Sequence, residues 1–291
     1  MSTDIDAWER RGVRRQVRGD SIFVIDEPAQ DPGGVPVLVL HGFPTCSYDW
    51  EPVLAALSAA HRVVVPDLLG YGFSAKPDRG YSLFDQADLV EELAAALRLD
   101  EVALVTHDMG DSVGGEIVAR DLDGRLSFRI ARRVVTNGSI YLDLAQLTDG
   151  QKLLLSLPDE KLPADAAPNA EALAAALRAT LAQNSLVADD VLAAHAALLT
   201  RDGGNCLLPR LIRYIEERRV HEGRWTGAIE RHPAPLTVVW GDADPIAVWP
   251  MAERLQGARA DATVVRLRGV GHYPMLETPE RFADAVVGAL S

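Results

Sequence analysis

The stretch Val102-Ala103-Leu104-Val105-Thr106-His107-Asp108-Met109-Gly110 decides the fold. Its apolar opening reads as a strand buried on both faces of a parallel sheet. It runs directly into Thr106-His107-Asp108-Met109-Gly110 and then into a helical stretch. A small–x–acid–x–small pattern between strand and helix predicts a sharp turn that lifts its central side chain above the carboxyl edge of the sheet. Small flanking residues let the backbone bend that tightly. Asp108 then stands where a nucleophile would. A carboxylate in that place attacks carbon and makes an ester that water must hydrolyse.

Gly110-Asp111-Ser112-Val113-Gly114 also satisfies the G-x-S-x-G pattern of serine nucleophiles. Such a turn must follow its strand at once, whereas Ser112 falls about one turn inside the helix. Gly114 and Gly115 there permit close packing. Asp108 is preferred over Ser112, and over a role in which Asp108 only caps the helix.

Working outward, residues 12–27 read as an antiparallel pair and Val37-Leu38-Val39-Leu40 as a buried strand entered through Pro36. Residues 47–60 form an amphipathic helix, Val63-Val64-Val65 a strand, and 84–98 a Leu- and Ala-rich helix. Strands follow at 131–136, 236–240 and 263–267, the last two each followed by a helix. This alternation predicts an α/β fold with an open, mostly parallel central sheet covered on both faces. Residues 139–232 instead carry Ala and Leu at helical spacing, with no β-rich run. Because core strands resume afterwards, we expect a core built from 1–138 and 233–291, with 139–232 inserted as a helical cap above Asp108.

The chain has 291 residues and a net charge of −13, with no basic stripe to neutralise phosphates, which argues against nucleic acid or anionic membranes as partners. The Arg-rich stretches Arg10–Arg18 and Arg210–Arg224 read as solvated faces. Two cysteines, Cys46 and Cys206, without metal-type spacing fit a reducing cytosol. The amino terminus lacks signal-peptide character, and no apolar run reaches the length of about 18–20 residues that a membrane span needs. A cytoplasmic protein is expected, with homodimerisation left open.

An aspartate nucleophile needs a base for the second-step water, and that base needs an orienting acid. Gly271-His272-Tyr273-Pro274 and Trp240-Gly241-Asp242-Ala243-Asp244-Pro245 each follow an apolar strand, in the chain order nucleophile, acid, histidine. His272 is the candidate base. Asp244 is preferred as the acid, with Asp242 closing the turn. The loop His41-Gly42-Phe43-Pro44 would supply one oxyanion N–H from Phe43, and Met109 the other. A cis bond before Pro44 is left open. His41, Pro44, His107, Trp225 and Trp249 are the candidate pocket residues.

Together these motifs resemble the α/β-hydrolase superfamily, in the branch that holds epoxide hydrolases and haloalkane dehalogenases. The resemblance covers most of the chain. It rests on His-Gly-x-Pro at 41–44, Asp-x-x-Gly-x-Gly-x-Ser-x-x-Pro at 67–77 and His-Asp-x-Gly at 107–110. Within the branch, segments 106–111, 213–218, 224–228 and 272–277 look closest to the mesoderm-specific-transcript-like hydrolases.

The resemblance implies an α/β-hydrolase fold, an aspartate nucleophile and no metal or organic cofactor. It also frames the leaving group. Dehalogenases usually place a tryptophan after the nucleophile, and often an asparagine in the third place of His-Gly-x-Pro or a second tryptophan from the cap. Met109 and Phe43 stand at the first two positions, so a halide site would need Trp225, Trp249 or Asn137 in a non-standard arrangement. The arginines that fluoroacetate dehalogenases place after the nucleophile are missing. Epoxide hydrolases stabilise the departing oxygen with cap tyrosines. Tyr214 matches one in position, and Tyr141, without a motif match, is the candidate second. The expected function is epoxide hydrolase-like, on a small apolar substrate. The alternatives are a dehalogenase, a carboxylesterase using Ser112, or a non-catalytic binding protein.

Overall fold

The computed structural model describes residues 4–31 and 33–291. Eight strands form one sheet: β1 (Val13–Val17), β2 (Asp20–Glu27), β3 (Val37–Leu40), β4 (Val63–Pro66), β5 (Glu101–His107), β6 (Arg129–Thr136), β7 (Leu236–Gly241) and β8 (Thr263–Leu267). Their order is β1-β2-β4-β3-β5-β6-β7-β8. The β1–β2 and β2–β4 pairings are antiparallel and all later ones parallel. The all-apolar strands take the centre: β3 is buried throughout and β5 from its second residue on. β8, exposed at Thr263 and Arg266, takes the edge.

Helices α1 (Ile5–Arg11), α2 (Glu51–Leu57), α3 (Leu83–Ala96) and α4 (Met109–Leu122) accompany the first half of the sheet, and α10 (Pro250–Ala258), α11 (Pro274–Glu277) and α12 (Pro279–Leu290) the last strands. Between β6 and β7 lie α5 (Asp149–Ser156), α6 (Ala170–Arg178), α7 (Asp189–Thr200), α8 (Leu208–Leu211) and α9 (Tyr214–Arg231), with no strand among them. The sequence reading misses α1. It also draws one helix over 47–60, where a 3₁₀ turn at Ser47–Trp50 leads into the shorter α2. Pro52 at the head of α2 suits a first turn, whose N–H groups have no intrahelical acceptor.

Every residue of α4 from Met109 to Arg120 is buried, so its polar side chains need partners inside the protein. Glu116 meets that need with four donors. Its oxygens accept from Arg120 Nε at 3.0 Å, Arg224 Nε at 2.6 Å and Nη2 at 3.2 Å, and Trp225 Nε1 at 2.9 Å. This network joins α4 to α9. It also corrects the reading of Arg210–Arg224 as a solvated face: Arg224 pairs with Glu116 and Asp123, and Arg218 is buried.

Burial alone would raise the Glu116 carboxyl, but its bonds to Arg224, Trp225 and Arg120 outweigh burial and hold it below the usual glutamate range. A depressed carboxyl contributes stability that is present above the unfolded-state value and is lost as pH falls through the folded one. We predict that Glu116→Gln costs about 2 kcal/mol, because it weakens charge-assisted bonds to Arg120 and Arg224, which keep Asp88, Glu91 and Asp123 as counter-charges. The test is a drop in the urea midpoint at neutral pH that shrinks towards acid pH. An unchanged midpoint would show that the network contributes nothing to the α4–α9 contact.

Candidate active site

β5 ends at His107 and α4 begins at Met109, which leaves Asp108 alone to make the turn, at φ 51° and ψ −115°. A non-glycine residue in that region is strained and persists only where its surroundings hold it. The backbone ties are Asp108 N–H to Thr136 O at 3.2 Å and Asp111 N–H to Asp108 O at 3.1 Å. Packing requires the neighbouring glycines. A Cβ at Gly110 would collide with the Leu40 carbonyl oxygen, and one at Gly42 would lie 2.5 Å from Asp108 Cβ. Register brings these loops together, since Leu40 of β3 pairs with Thr106 of β5 and His107 with Thr136 of β6.

Asp108 is 2% exposed. Its Oδ2 accepts from Phe43 N–H at 2.8 Å, while Oδ1 lies 3.7 Å from His272 Nε2. His272 Nδ1 in turn donates to Asp244 Oδ2 at 2.8 Å. Asp244 is immobilised by three further donors: Ile246 N–H at 2.7 Å and Ala247 N–H at 3.0 Å to Oδ1, and Asn137 Nδ2 at 2.7 Å to Oδ2. Asp242 closes the turn, accepting from Gly269 N–H and Arg266 Nε, each at 2.7 Å. Met109 opens α4, where a backbone N–H has no intrahelical acceptor, and its Sδ accepts from Tyr71 OH at 3.3 Å. The Phe43–Pro44 bond is cis.

Burial pulls the His272 imidazole down, but the charge and hydrogen bond of Asp244, together with the charge of Asp108, overcome it and push the value up to about 9. His107, with its ring 5.1 Å from His272, is pushed down to about 3 by burial and by the charge of His272. It stays neutral beside a charged neighbour.

A cavity of about 360 Å³ reaches this cluster. Phe43, Pro44, His272 and Tyr273 line it on one side, and Leu153, Leu154, Leu157, Leu173, Leu177 and Leu208 of the β6–β7 segment line much of the rest. Asp108 does not itself line the cavity; it touches Phe43 and His272, which do. Tyr214, at the start of α9, is buried against Phe43 with ring centroids 5.5 Å apart. Burial and the charge of Asp108 drive its phenol upward, so it stays protonated.

Of the expected pocket residues, only Pro44 lines the cavity. His41 accepts from Leu68 N–H at Nε2 (2.9 Å), so Nδ1 carries the hydrogen and donates to Gly42 O (2.9 Å), which braces the Phe43 loop from behind. His107 is buried with Nδ1 3.2 Å from Thr136 O. Trp225 is committed to Glu116, and Trp249 bonds Glu253 Oε1 at 2.7 Å with Arg266 over its ring. Tyr141 donates to Glu230 at 2.8 Å and is no partner of Tyr214. Ser112 lies inside α4 and accepts from Arg218 Nε at 2.7 Å.

Sequence reasoning missed Asn137, raised only as a halide ligand. Its Oδ1 accepts from Gly241 N–H at 2.9 Å while its amide holds Asp244. Its position one residue past β6, at the same sheet edge as Asp108, was the available signal. Among the described residues no group of His, Cys, Asp and Glu could hold a metal, and no helix is long and apolar enough to cross a membrane.

Comparison with known proteins agrees with this architecture. The chain is 37% identical over 290 residues to the protein named "Putative hydrolase LipZ" of Mycobacterium tuberculosis, covering 99% of each. It is 30% identical to the mesoderm-specific transcript protein of Mus musculus, over 100% of this chain and 89% of that one. Among solved structures, a haloalkane dehalogenase loop variant from Bradyrhizobium elkanii superposes with a TM-score of 0.77 at 22% identity, covering 96% of each chain, a likeness of fold alone. Residues 37–285 match the alpha/beta hydrolase family, and with that match and these relatives the chain belongs to it.

Proposed function

We propose that this hydrolase works through Asp108 as a covalent nucleophile and opens epoxides on small, aliphatic molecules, with residues 139–232 acting as the cap that shapes their pocket. The observation that carries the reading is the placement of the Asp108 carboxylate. One oxygen is held by the Phe43 N–H, and the other is free towards His272. Oδ2 then becomes the ester carbonyl oxygen, already in its donor site, while Oδ1 attacks.

In the first step Oδ1 bonds to an epoxide carbon and the carbon–oxygen bond breaks. Its electron pair stays on the departing oxygen, which takes a proton from Tyr214. The product is a glycol ester of Asp108. Ester formation removes the Asp108 charge, one of the influences holding the His272 value up, so His272 gives its proton to solvent and becomes a base. It takes a proton from water, and the hydroxide attacks the ester carbonyl. The tetrahedral charge rests on the Phe43 and Met109 N–H groups. Collapse releases the diol, and protons return to its oxygen and to Tyr214. Water is the only co-reactant.

Epoxide is favoured over halide because the three side chains that could have formed an unusual halide site, Trp225, Trp249 and Asn137, donate elsewhere. Tyr214 packs on Phe43, whose N–H holds Asp108, and the Asp108 charge helps keep its phenol protonated. Leucine and alanine dominate the far wall of the cavity, which suits an aliphatic rather than a charged substrate.

The experiment is intact-mass measurement of His272→Gln after incubation with aliphatic epoxides, haloalkanes and esters. The first step survives without the base, so an adduct with the full mass of an epoxide should accumulate and map to the Asp108 peptide. An adduct equal to a haloalkane minus its halide would replace epoxides by halides. An adduct on Ser112, or none while wild type cleaves esters, would overturn the aspartate mechanism.

A further inference from the structure

Arg218 follows Tyr214 by one turn of α9, on the same face. It is 4% exposed, yet it forms no ion pair with a carboxylate among the described residues. Nε donates to Ser112 Oγ at 2.7 Å, and Nη2 is buried without a hydrogen-bond partner. The guanidinium carbon lies 5.0 Å from the centroid of the Tyr214 ring. Asp111, on which the Arg218 charge acts, is pushed upward chiefly by burial and forms no ion pair with Arg218. A buried cation left without an anion is costly, so its stabilisation must come from elsewhere. Its direct contacts are the ring of Tyr214 and the hydroxyl of Ser112.

We propose that Arg218 is a positioning residue for ring opening: anchored by Ser112, its guanidinium stabilises the negative charge that builds on Tyr214 as the phenol gives its proton to the leaving oxygen. The inference rests on the roles given above to Asp108 and Tyr214. A cation over an aromatic face is attracted more strongly as that ring gains negative charge. The gain therefore falls in the transition state and accelerates the step, leaving substrate binding unchanged. The same arrangement gives the G-x-S-x-G serine a task. Ser112 sits on the nucleophile helix and fixes the cation that acts on the tyrosine of α9, and Tyr214 packs on Phe43, the donor to Asp108. Burial and Asp108 raise the Tyr214 phenol, while Arg218 and a hydrogen bond from Gln151 oppose them, the direction this role requires of Arg218.

The test uses the full chain with 2,3,5-trifluorotyrosine at position 214, titrated by fluorine NMR in the wild-type background and in Arg218→Met and Arg218→Lys. Arg218→Met should make the fluorophenol about tenfold less acidic, and Arg218→Lys should restore most of the difference. In the His272→Gln background, Arg218→Met should slow adduct formation with an epoxide about tenfold. That slowing should vanish when Tyr214 is phenylalanine. An unchanged titration overturns the inference, as does an equal slowing in Tyr214→Phe. If no epoxide gives an adduct, the epoxide reading falls, while the titration still decides the Arg218–Tyr214 coupling. Should Arg218→Met fail to fold, Ser112→Ala loosens the same anchor, and its titration must move in the same direction.

Discussion

Asp108→Ala should lose turnover by on the order of 10⁴-fold or more and form no adduct on any substrate, since no other group can take its place. The turn places the Asp108 carboxylate against Phe43 and His272, and the next hydroxyl along the chain, Ser112, lies within α4 as the acceptor of Arg218 Nε. Ser112→Ala should therefore still form the ester on Asp108 and lose only what a looser Arg218 costs, far less than Asp108→Ala. The two variants separate the mechanisms cleanly. Activity retained in Asp108→Ala and abolished in Ser112→Ala would make this a serine esterase. Single-turnover hydrolysis in ¹⁸O-water adds a second check: the label should appear in Asp108, because the attacking water replaces one of its oxygens.

The second large effect is expected from Asp244→Asn. Ile246 and Ala247 N–H groups hold Oδ1, so the new amide nitrogen must take the place of Oδ2, facing His272 Nδ1 at 2.8 Å. An amide N–H there donates to Nδ1 and forces the ring hydrogen onto Nε2, the atom that should accept a proton from water. It also meets the Asn137 amide head-on, where a donor now faces a donor. Hydrolysis of the ester should fall by roughly 10³–10⁴-fold, with ester formation far less affected. The variant should accumulate the same adduct as His272→Gln under steady turnover. Loss of the Asp244 charge should also lower the His272 value from about 9. In wild type, hydrolysis of the ester should rise with pH as His272 loses its proton, with a midpoint below about 9 because the Asp108 charge is then absent. If Asp244→Asn shows normal ester hydrolysis, His272 takes its orientation from some other group.

Where sequence and structure part company, the causes are specific. Trp225 and Trp249 look from the chain alone like indole donors in search of a ligand. Trp249 had a partner legible in sequence, since Glu253 follows it by one helical turn and bonds it. Trp225 had none, because Glu116 lies 109 residues away on another helix. Arg218 looked like one more surface charge in a basic stretch, and only the packing of α9 on α4 buries it. His41 sits in a loop whose motif suggested contact with substrate, yet its ring holds the loop in shape by bonding Leu68 and Gly42.

What the chain by itself determined was local. Apolar runs of strand length, the break at Thr106–Gly110 and the helical spacing of 139–232 set the element order, hence the sheet, the turn that carries Asp108 and the loops that bring Asp244 and His272 to the same edge. These follow from backbone periodicity and turn sterics, which act over a few residues and are written in neighbouring letters. What only tertiary structure decided was partnership. The Asn137–Asp244 bond spans 107 positions, and the Ser112–Arg218 contact that sets a cation over Tyr214 spans 106. A buried polar group must find a partner wherever folding delivers one, and a hydrogen bond between elements so far apart leaves no periodic trace in the sequence.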